Sequence, residues 1–85
     1  MTIRLLNPFV RDYKKLDPPV RLKVDEFLTV LAKDFRHSSL RVRKMVNQKD
    51  IYEARIDGQF RATFEMNGNI LTMRRVGGHE IYRNP

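Results

Sequence analysis

The sequence predicts an α+β domain: a short N-terminal strand, a two-helix hairpin, and a C-terminal three-stranded antiparallel meander packed on the helices. Two segments that open with proline and carry turn-spaced apolar residues predict the helices. Three strand-like segments separated by "DGQ" and "NG" predict the meander. The 85 residues, 41% hydrophobic and 32% charged, fit a single globular domain over 1–85.

The first two elements follow from a short apolar run and a proline. "TIRLL" at residues 2–6 predicts a strand. Asn7 is a favourable N-cap residue and Pro8 suits the first helical position, so a helix is expected to begin there. Its apolar stripe consists of Phe9, Tyr13 and Leu16.

The second helix repeats the same arrangement. Asp17 is the expected N-cap, Pro18 opens the helix, and the periodic pattern continues to about Lys33. The stripe predicted to face the sheet comprises Val20, Val24, Phe27, Leu28 and Leu31.

Residues 34–50 lack clean periodicity and predict a basic connection, with room for one helical turn or a short strand. His37 falls in this stretch and is expected at the surface. Four apolar residues are expected to tuck under the domain: Leu40, Val42, Met45 and Val46.

The register of the first hairpin follows from keeping apolar residues on one face, because a slip of one residue sends every side chain to the other face. A three-residue loop at 57–59 satisfies this condition. It pairs Ile56 with Phe60, Ala54 with Ala62, and Tyr52 with Phe64.

For the second hairpin, a two-residue turn at Asn67 and Gly68 is predicted. That register places Met66 opposite Asn69, Phe64 opposite Leu71, Ala62 opposite Met73, and Arg61 opposite Arg74.

Together the two registers align Arg55, Arg61 and Arg74 across three strands, on the face away from the core. Like charges directly opposite on a sheet destabilise it by roughly 0.2–1 kcal/mol per pair. One interpretation is an anion site, since guanidinium groups match phosphate oxygens and stabilise charge that develops during phosphoryl transfer. The other is structural: exposed arginines that pair with Glu53 and Glu65.

The stretch "RRVGGHEIYRNP" contains further candidate residues for that face of the sheet. Gly77 and Gly78 are expected to end the last strand and bend the backbone, returning His79 and Tyr82 towards the arginines. Imidazole has an unperturbed pKa of about 6.5 and can transfer protons near neutral pH. His79 is therefore a candidate functional residue, although a lone histidine is more often structural.

The overall charge points to a polyanionic partner. Seventeen Lys and Arg against ten Asp and Glu give a net charge of +7, which favours nucleic acid first and an acidic protein second. With no cysteine and two histidines, neither a disulfide framework nor a protein-built metal site is expected. "MTIRLLNPFVRDYKK" lacks a signal-like apolar core, so we expect a cytoplasmic protein without a membrane span.

These features resemble the RelE/ParE superfamily of bacterial and archaeal toxin–antitoxin toxins. The resemblance covers nearly the whole chain and is most specific in "IYEARIDGQFRATFEM" and in "RVGGHEIYR", which is similar to the Val-Gly-x-His ending of many members. The RelE-like branch is favoured, although Glu53 stands where some ribosome-dependent members carry lysine.

The resemblance implies an endoribonuclease that cuts mRNA in the ribosomal A site, needs no metal or other cofactor, inhibits translation, and is silenced by a cognate antitoxin. It implies that Arg55 and Arg61 bind and polarise the scissile phosphate. His79 and Tyr82 would serve proton transfer, base stacking or activation of the 2′-hydroxyl. Further RNA- or phosphate-binding residues are expected at Arg74, Arg83, Lys49 and Lys44.

Two alternatives remain open. Because the superfamily fold is shared, the chain could instead be a ParE-like inhibitor that binds DNA gyrase and performs no chemistry. It could also be a basic RNA-binding domain without activity.

Overall fold

The computed structural model of the chain describes residues 1–85 and has the predicted α+β architecture. It contains five strands, two α-helices and two short 3₁₀ helices. In chain order they are β1 (Thr2–Leu5), α1 (Asn7–Lys15), α2 (Pro18–Lys33), a 3₁₀ helix (Ser38–Leu40), β2 (Arg43–Lys44), β3 (Tyr52–Arg55), β4 (Arg61–Asn67), β5 (Ile70–Gly77) and a second 3₁₀ helix (His79–Arg83).

All five strands form one sheet in the order β1-β5-β4-β3-β2. The predicted meander of β3, β4 and β5 is confirmed at its centre. β1 runs parallel to β5 and β2 antiparallel to β3, so both edges of the sheet come from segments whose pairing the sequence pattern did not specify.

α2 begins at Pro18 and ends at Lys33 as predicted, whereas α1 begins at Asn7, one residue before the predicted start, and the caps of both helices differ from those expected. Asn7 lies inside α1, and Leu6 is the N-cap residue. Asp17 is the N-cap of α2, with extended backbone, yet its side chain makes no capping hydrogen bond. Pro8 and Pro18 therefore mark the helix starts through their fixed φ, without help from a side-chain cap.

The core lies between the helices and one face of the sheet. Phe9, Val24, Phe27 and Leu31 are the buried residues of the helices. They pack against the sheet residues Ala54, Ala62, Phe64, Leu71, Met73 and Val76. No helix in the chain has the length and apolar character needed to cross a membrane.

The connection at 34–50 holds both a single 3₁₀ turn and a two-residue strand. Leu40 is buried as expected, whereas the expectation for Val46 is wrong, because its side chain is 83% exposed. The Met45 amide donates to the Ile51 carbonyl at 2.8 Å and closes a loop over 46–50. Val46 lies on that loop, beyond the last paired residue of β2.

The first hairpin has the predicted register. Tyr52 pairs with Phe64 and Ala54 with Ala62, while Arg55 lies opposite Arg61. The Ile56 amide donates to the Phe60 carbonyl at 3.0 Å and closes the three-residue loop.

The predicted register of the second hairpin is wrong. Its two-residue turn is Gly68-Asn69, so Asn67 pairs with Ile70 and Met66 with Leu71. Gly68 adopts φ +58°, and glycine is the residue that tolerates positive φ at the first position of such a turn.

A β-bulge then shifts the register once more. Phe64 pairs with Met73 but the next residue, Thr63, pairs with Arg75, so that Arg74 is the extra residue on β5. The bulge has a packing reason. Without it Arg75 would lie opposite Ala62 on the core face, whereas the shift brings Val76 to that position. Arg61 consequently lies opposite Gly77, not Arg74.

Candidate functional site

The outer face of the sheet, away from the helices, carries a small polar cleft that we call the arginine cleft. It has a volume of about 190 Å³. Its lining residues are Arg41, Arg43, Glu53, Ala54, Arg55 and Arg61.

Arg55 and Arg61 form the end of this cleft beside the first hairpin loop. They are directly opposite on β3 and β4, and both side chains are half-buried. Arg61 donates to the Phe60 carbonyl at 3.1 Å and also to the Asp57 carbonyl. Arg55 takes part in no ion pair. Two adjacent guanidinium groups therefore remain without a carboxylate of their own.

Glu53 is the single acidic group of the arginine cleft and is only 7% exposed. Arg43, directly opposite on β2, donates a hydrogen bond from Nε to its carboxylate. This bond raises the pKa of the Arg43 guanidinium further. The pair fixes the Glu53 carboxylate between Arg43 and the residues of β4.

The residues after β5 return over this face as a short tail, residues 78–85. The Ile81 side chain is 1% exposed, and Thr63 beneath the tail is fully buried with no hydrogen-bond partner for its hydroxyl. His79 is exposed, and its ring meets the Tyr82 ring edge-on at a centroid distance of 5.6 Å.

Tyr82 lies in the electrostatic environment of the arginine cleft. Burial is the largest effect that raises its pKa, and the negative charge of Glu53 raises it further. The positive charges of Arg61 and Arg43 lower it. The net pKa is above the ordinary value of 10.0, so the phenol is neutral at physiological pH and can donate a hydrogen bond.

The path of the tail depends on the two glycines. A Cβ atom on Gly77 would come within 2.9 Å of Ile81 Cγ2 and 2.7 Å of Glu80 Oε1. The Gly78 amide donates to the Glu80 carboxylate at 2.9 Å, which fixes the first turn of the tail. The tail can lie flat on the sheet because Gly77 has no side chain.

The predicted row of Arg55, Arg61 and Arg74 is not present. As the bulge residue, Arg74 leaves the alternation of β5, and its guanidinium binds Glu65 at 2.7 Å and the Pro85 main-chain oxygen at 3.0 Å. The structure thus keeps Arg55 and Arg61 together and separates Arg74 from them.

Three other predicted phosphate-binding residues lie outside the arginine cleft. Lys44 pairs with Tyr52 and so alternates to the opposite face of the sheet from Arg43. Lys49 is an exposed residue of the loop over 46–50, and Arg83 is exposed at the end of the tail helix. His37 is at the surface, where its Nδ1 accepts a hydrogen bond from the Ser39 amide at 3.2 Å.

Sequence reasoning missed Arg41 and Arg43 and treated Glu53 only as a charge partner. A signal was present in both places. In "RVR" at 41–43 the arginines alternate around a valine, and Glu53 alternates with Arg55 on β3. The alternation of Arg41 and Arg43 is hard to recognise as a strand because β2 has only two residues.

The arginine cleft has a chemistry suited to binding an anion. Guanidinium groups can bind phosphate oxygens in pairs and stabilise added negative charge. No three histidine or acidic side chains gather where they could hold a metal ion.

Comparison with known proteins links this fold to toxins. No family model matches the sequence, and no curated protein matches it. Among solved structures, a chain of the RelB-RelE antitoxin–toxin complex from Methanococcus jannaschii superposes with a TM-score of 0.77 at 22% identity, over 96% of this chain and 99% of that one. YafQ from Escherichia coli gives 0.77 at 14% identity, over 94% of each chain. The RelBE2 complex from Mycobacterium tuberculosis gives 0.74 at 25% identity, over 92% and 96%. The chain has a RelE-like toxin fold.

Proposed function

Starting from this RelE-like fold, we propose that the protein is the toxin of a toxin–antitoxin pair and acts as a metal-independent endoribonuclease on ribosome-bound mRNA. The observation that carries the proposal is the arginine cleft. It combines adjacent guanidinium groups and a nearly buried carboxylate on one sheet face, and the charges of Glu53, Arg61 and Arg43 act on the pKa of the neighbouring Tyr82 phenol. A gyrase inhibitor that performs no chemistry has no need of this set.

In the proposed complex the scissile phosphate sits between Arg55 and Arg61. Their uncompensated guanidinium groups bind its non-bridging oxygens and stabilise the charge of the pentacoordinate transition state. Arg43 takes a different part, because its hydrogen bond to Glu53 positions the carboxylate.

The proposed reaction is transfer of the phosphoryl group to the neighbouring 2′-oxygen. The 2′-O–P bond forms while the P–O5′ bond breaks. Glu53 accepts the proton of the 2′-hydroxyl, and His79 gives a proton to the leaving 5′-oxygen. The products are a 2′,3′-cyclic phosphate and a 5′-hydroxyl end, and later hydrolysis of the cycle gives a 3′-phosphate.

Tyr82 is assigned a positioning role beside these groups. Its neutral phenol can donate a hydrogen bond to a phosphate or ribose oxygen, and its ring is available for stacking with a base. Its ring also meets the His79 ring edge-on at a centroid distance of 5.6 Å, which keeps the imidazole next to the phenol.

The partner proposed to silence this activity is a cognate antitoxin. An acidic protein segment that covers the arginine cleft would compete with RNA for the same guanidinium groups. The net charge of +7 favours rapid association with such a segment.

Induced expression followed by mapping of mRNA ends tests the proposal. Wild type should arrest growth and produce new 5′-hydroxyl ends within translated regions. Arg61→Ala, Glu53→Gln and His79→Ala should each lose this cleavage while remaining folded by circular dichroism.

Lys33→Ala is a suitable control, because Lys33 is exposed on α2 and makes no ion pair. Cleavage at the wild-type rate by both Arg61→Ala and His79→Ala would show that the site is wrong. Inhibition of gyrase supercoiling by purified protein that cuts no RNA would favour the gyrase-inhibitor alternative instead.

A further inference from the structure

A second basic pocket lies where the end of α1 meets β5, and we call it the seam pocket. It has a volume of about 440 Å³, within the range of roughly 300–1,000 Å³ typical of ligand sites. Its charged lining residues are Arg11, Asp12, Lys15, Arg74 and Arg75.

Two of these cations have no partner within the chain. Arg11 and Lys15 are exposed, stand four residues apart on α1, and take part in no ion pair. Like charges at this spacing face each other and destabilise a helix. An anion that binds between them would remove this repulsion.

The other two cations form a fixed wall of the pocket. Arg75 donates to the Asp12 carboxylate at 2.6 Å and 3.1 Å and to the Asn84 carbonyl at 3.1 Å. Asp12 also accepts the Val76 amide at 3.1 Å, so the only acidic side chain of the pocket is occupied by three hydrogen bonds. The pocket therefore presents a surplus of positive charge to a ligand.

The seam pocket is aligned with the arginine cleft across the sheet. Cross-strand pairing sets four residues in one transverse row: Arg43, Glu53, Thr63 and Arg75. Three strand spacings of about 4.8 Å separate the ends of this row by roughly 14 Å. The tail covers Thr63 in the middle, with a basic site on either side.

We propose that the seam pocket binds a second phosphate of the RNA strand whose scissile phosphate is held in the arginine cleft. The inference rests on the proposed ribonuclease function and extends it to the substrate: a single strand that crosses the tail along the transverse row. Arg11 and Lys15 supply the adaptable contacts, and Arg74 with Arg75 supply the fixed ones.

Binding of uncleavable RNA tests this site. Full-length protein is titrated with a 2′-O-methyl octanucleotide, which spans both sites, and with a 2′-O-methyl dinucleotide, which reaches only the cleft. The double variant Arg11→Gln/Lys15→Gln should bind the octanucleotide about tenfold more weakly and the dinucleotide as wild type does. Its salt dependence should fall by roughly 0.7 in log–log slope for each phosphate that the variant no longer neutralises.

Lys14→Gln/Lys33→Gln is the matched control, since it removes two exposed charges from the helices outside the pocket. An equal loss of affinity in this control would mean that only net charge matters and would overturn the proposal. So would wild-type affinity in Arg11→Gln/Lys15→Gln while wild type still binds and cleaves RNA. If wild type neither binds nor cleaves RNA, the proposed function fails together with the site.

Discussion

At the residue scale, the site is defined by a nearly buried carboxylate surrounded by guanidinium groups. A hydrogen bond from Arg43 stabilises Glu53 in that position, and the negative charge of Glu53 raises the pKa of Tyr82. A neutral phenol next to a carboxylate is a suitable hydrogen-bond donor for an oxyanion, because burial and the carboxylate both oppose its ionisation.

The raised pKa of Tyr82 has a measurable consequence at high pH. The folded protein keeps the phenolic proton above pH 10.0, where an unfolded tyrosine loses it, so this stability contribution is complete below that pH and is lost as the pH rises through the folded pKa. We expect the alkaline fall in the free energy of unfolding to be smaller in Tyr82→Phe.

Absorbance titration of tyrosinate measures the pKa of Tyr82, and urea unfolding between neutral pH and about pH 11 measures the free energy of unfolding. Tyr13 needs a control of its own, because its hydrogen bond to Asp25 raises its pKa too. A Tyr82 signal that titrates below 10.0, identified by its absence in Tyr82→Phe, would contradict the burial described here.

At the element scale, two short connections fix the positions of the functional strands. The first hairpin loop sets Arg55 opposite Arg61, and the turn after β5 sets the tail on the sheet. Each connection depends on one residue that cannot be exchanged freely.

The first of these residues is Asp57, which closes the hairpin loop. Its carboxylate accepts the Gln59 and Phe60 amides, both at 2.8 Å, and the Lys23 ammonium at 3.0 Å. Asp57→Ala should lower the free energy of unfolding by about 1–2 kcal/mol. Lys23→Met, which removes only the exposed ion pair, should cost less than about 0.5 kcal/mol.

The same contacts predict a dependence on acid. Burial raises the pKa of Asp57, but the three donors together bring it below the ordinary value of 3.8. Its stabilising contribution is thus present above about pH 4 and is lost as the pH falls through the folded pKa. Urea unfolding of wild type and Asp57→Ala should therefore converge at low pH, and parallel curves would speak against this loop structure.

The second is Gly77 at the end of β5. A methyl group there meets the buried Ile81 side chain, so Gly77→Ala should destabilise by about 1–3 kcal/mol and displace the tail. In Gly78→Ala the closest contact is Glu80 Oε2 at 2.7 Å, the end of a flexible exposed side chain, and the cost should be small. Thermal unfolding and the Tyr82 titration compare the two variants; equal effects would show that the tail does not pack as described.

At the scale of the whole molecule, the N-terminal and C-terminal halves are joined along β5. β1 pairs with the first half of β5, and after β1 ends, α1 covers the remaining edge. Asp12 makes the polar part of this junction by binding Arg75 and the Val76 amide.

Asp12→Ala should therefore destabilise the whole domain. The change leaves the Arg75 guanidinium and a strand amide without the carboxylate that accepts their hydrogen bonds. Because the side chains of Asp12 and Arg75 are only 15% and 26% exposed, we expect the free energy of unfolding to fall by about 2–3 kcal/mol. Glu65→Ala breaks the more exposed pair with Arg74 and should cost less than about 1 kcal/mol. Chemical denaturation of the two variants provides the comparison, and equal losses would argue against a special role for Asp12.

Much of the fold could be predicted from local patterns. Pro8 and Pro18 fix the starts of the helices, and apolar alternation fixes the register of Tyr52, Ala54 and Ile56, because both signals act between neighbouring residues. The pairing of β1 with β5 was not accessible in this way. It joins residues far apart in sequence, and a run of four residues carries no information on its partner.

The candidate site also has one part that local sequence patterns predict and another that they do not. The sequence alone determined that Arg55 and Arg61 face each other outside the core, since a three-residue loop keeps the apolar residues of both strands on one face. Only the tertiary structure decided that Arg74 is separated from Arg55 and Arg61, that Arg43 and Glu53 line the arginine cleft beside them, and where Tyr82 lies. A bulge that keeps Arg75 out of the core, a two-residue edge strand and a tail packed through Ile81 all depend on contacts between distant segments, and no local pattern encodes them.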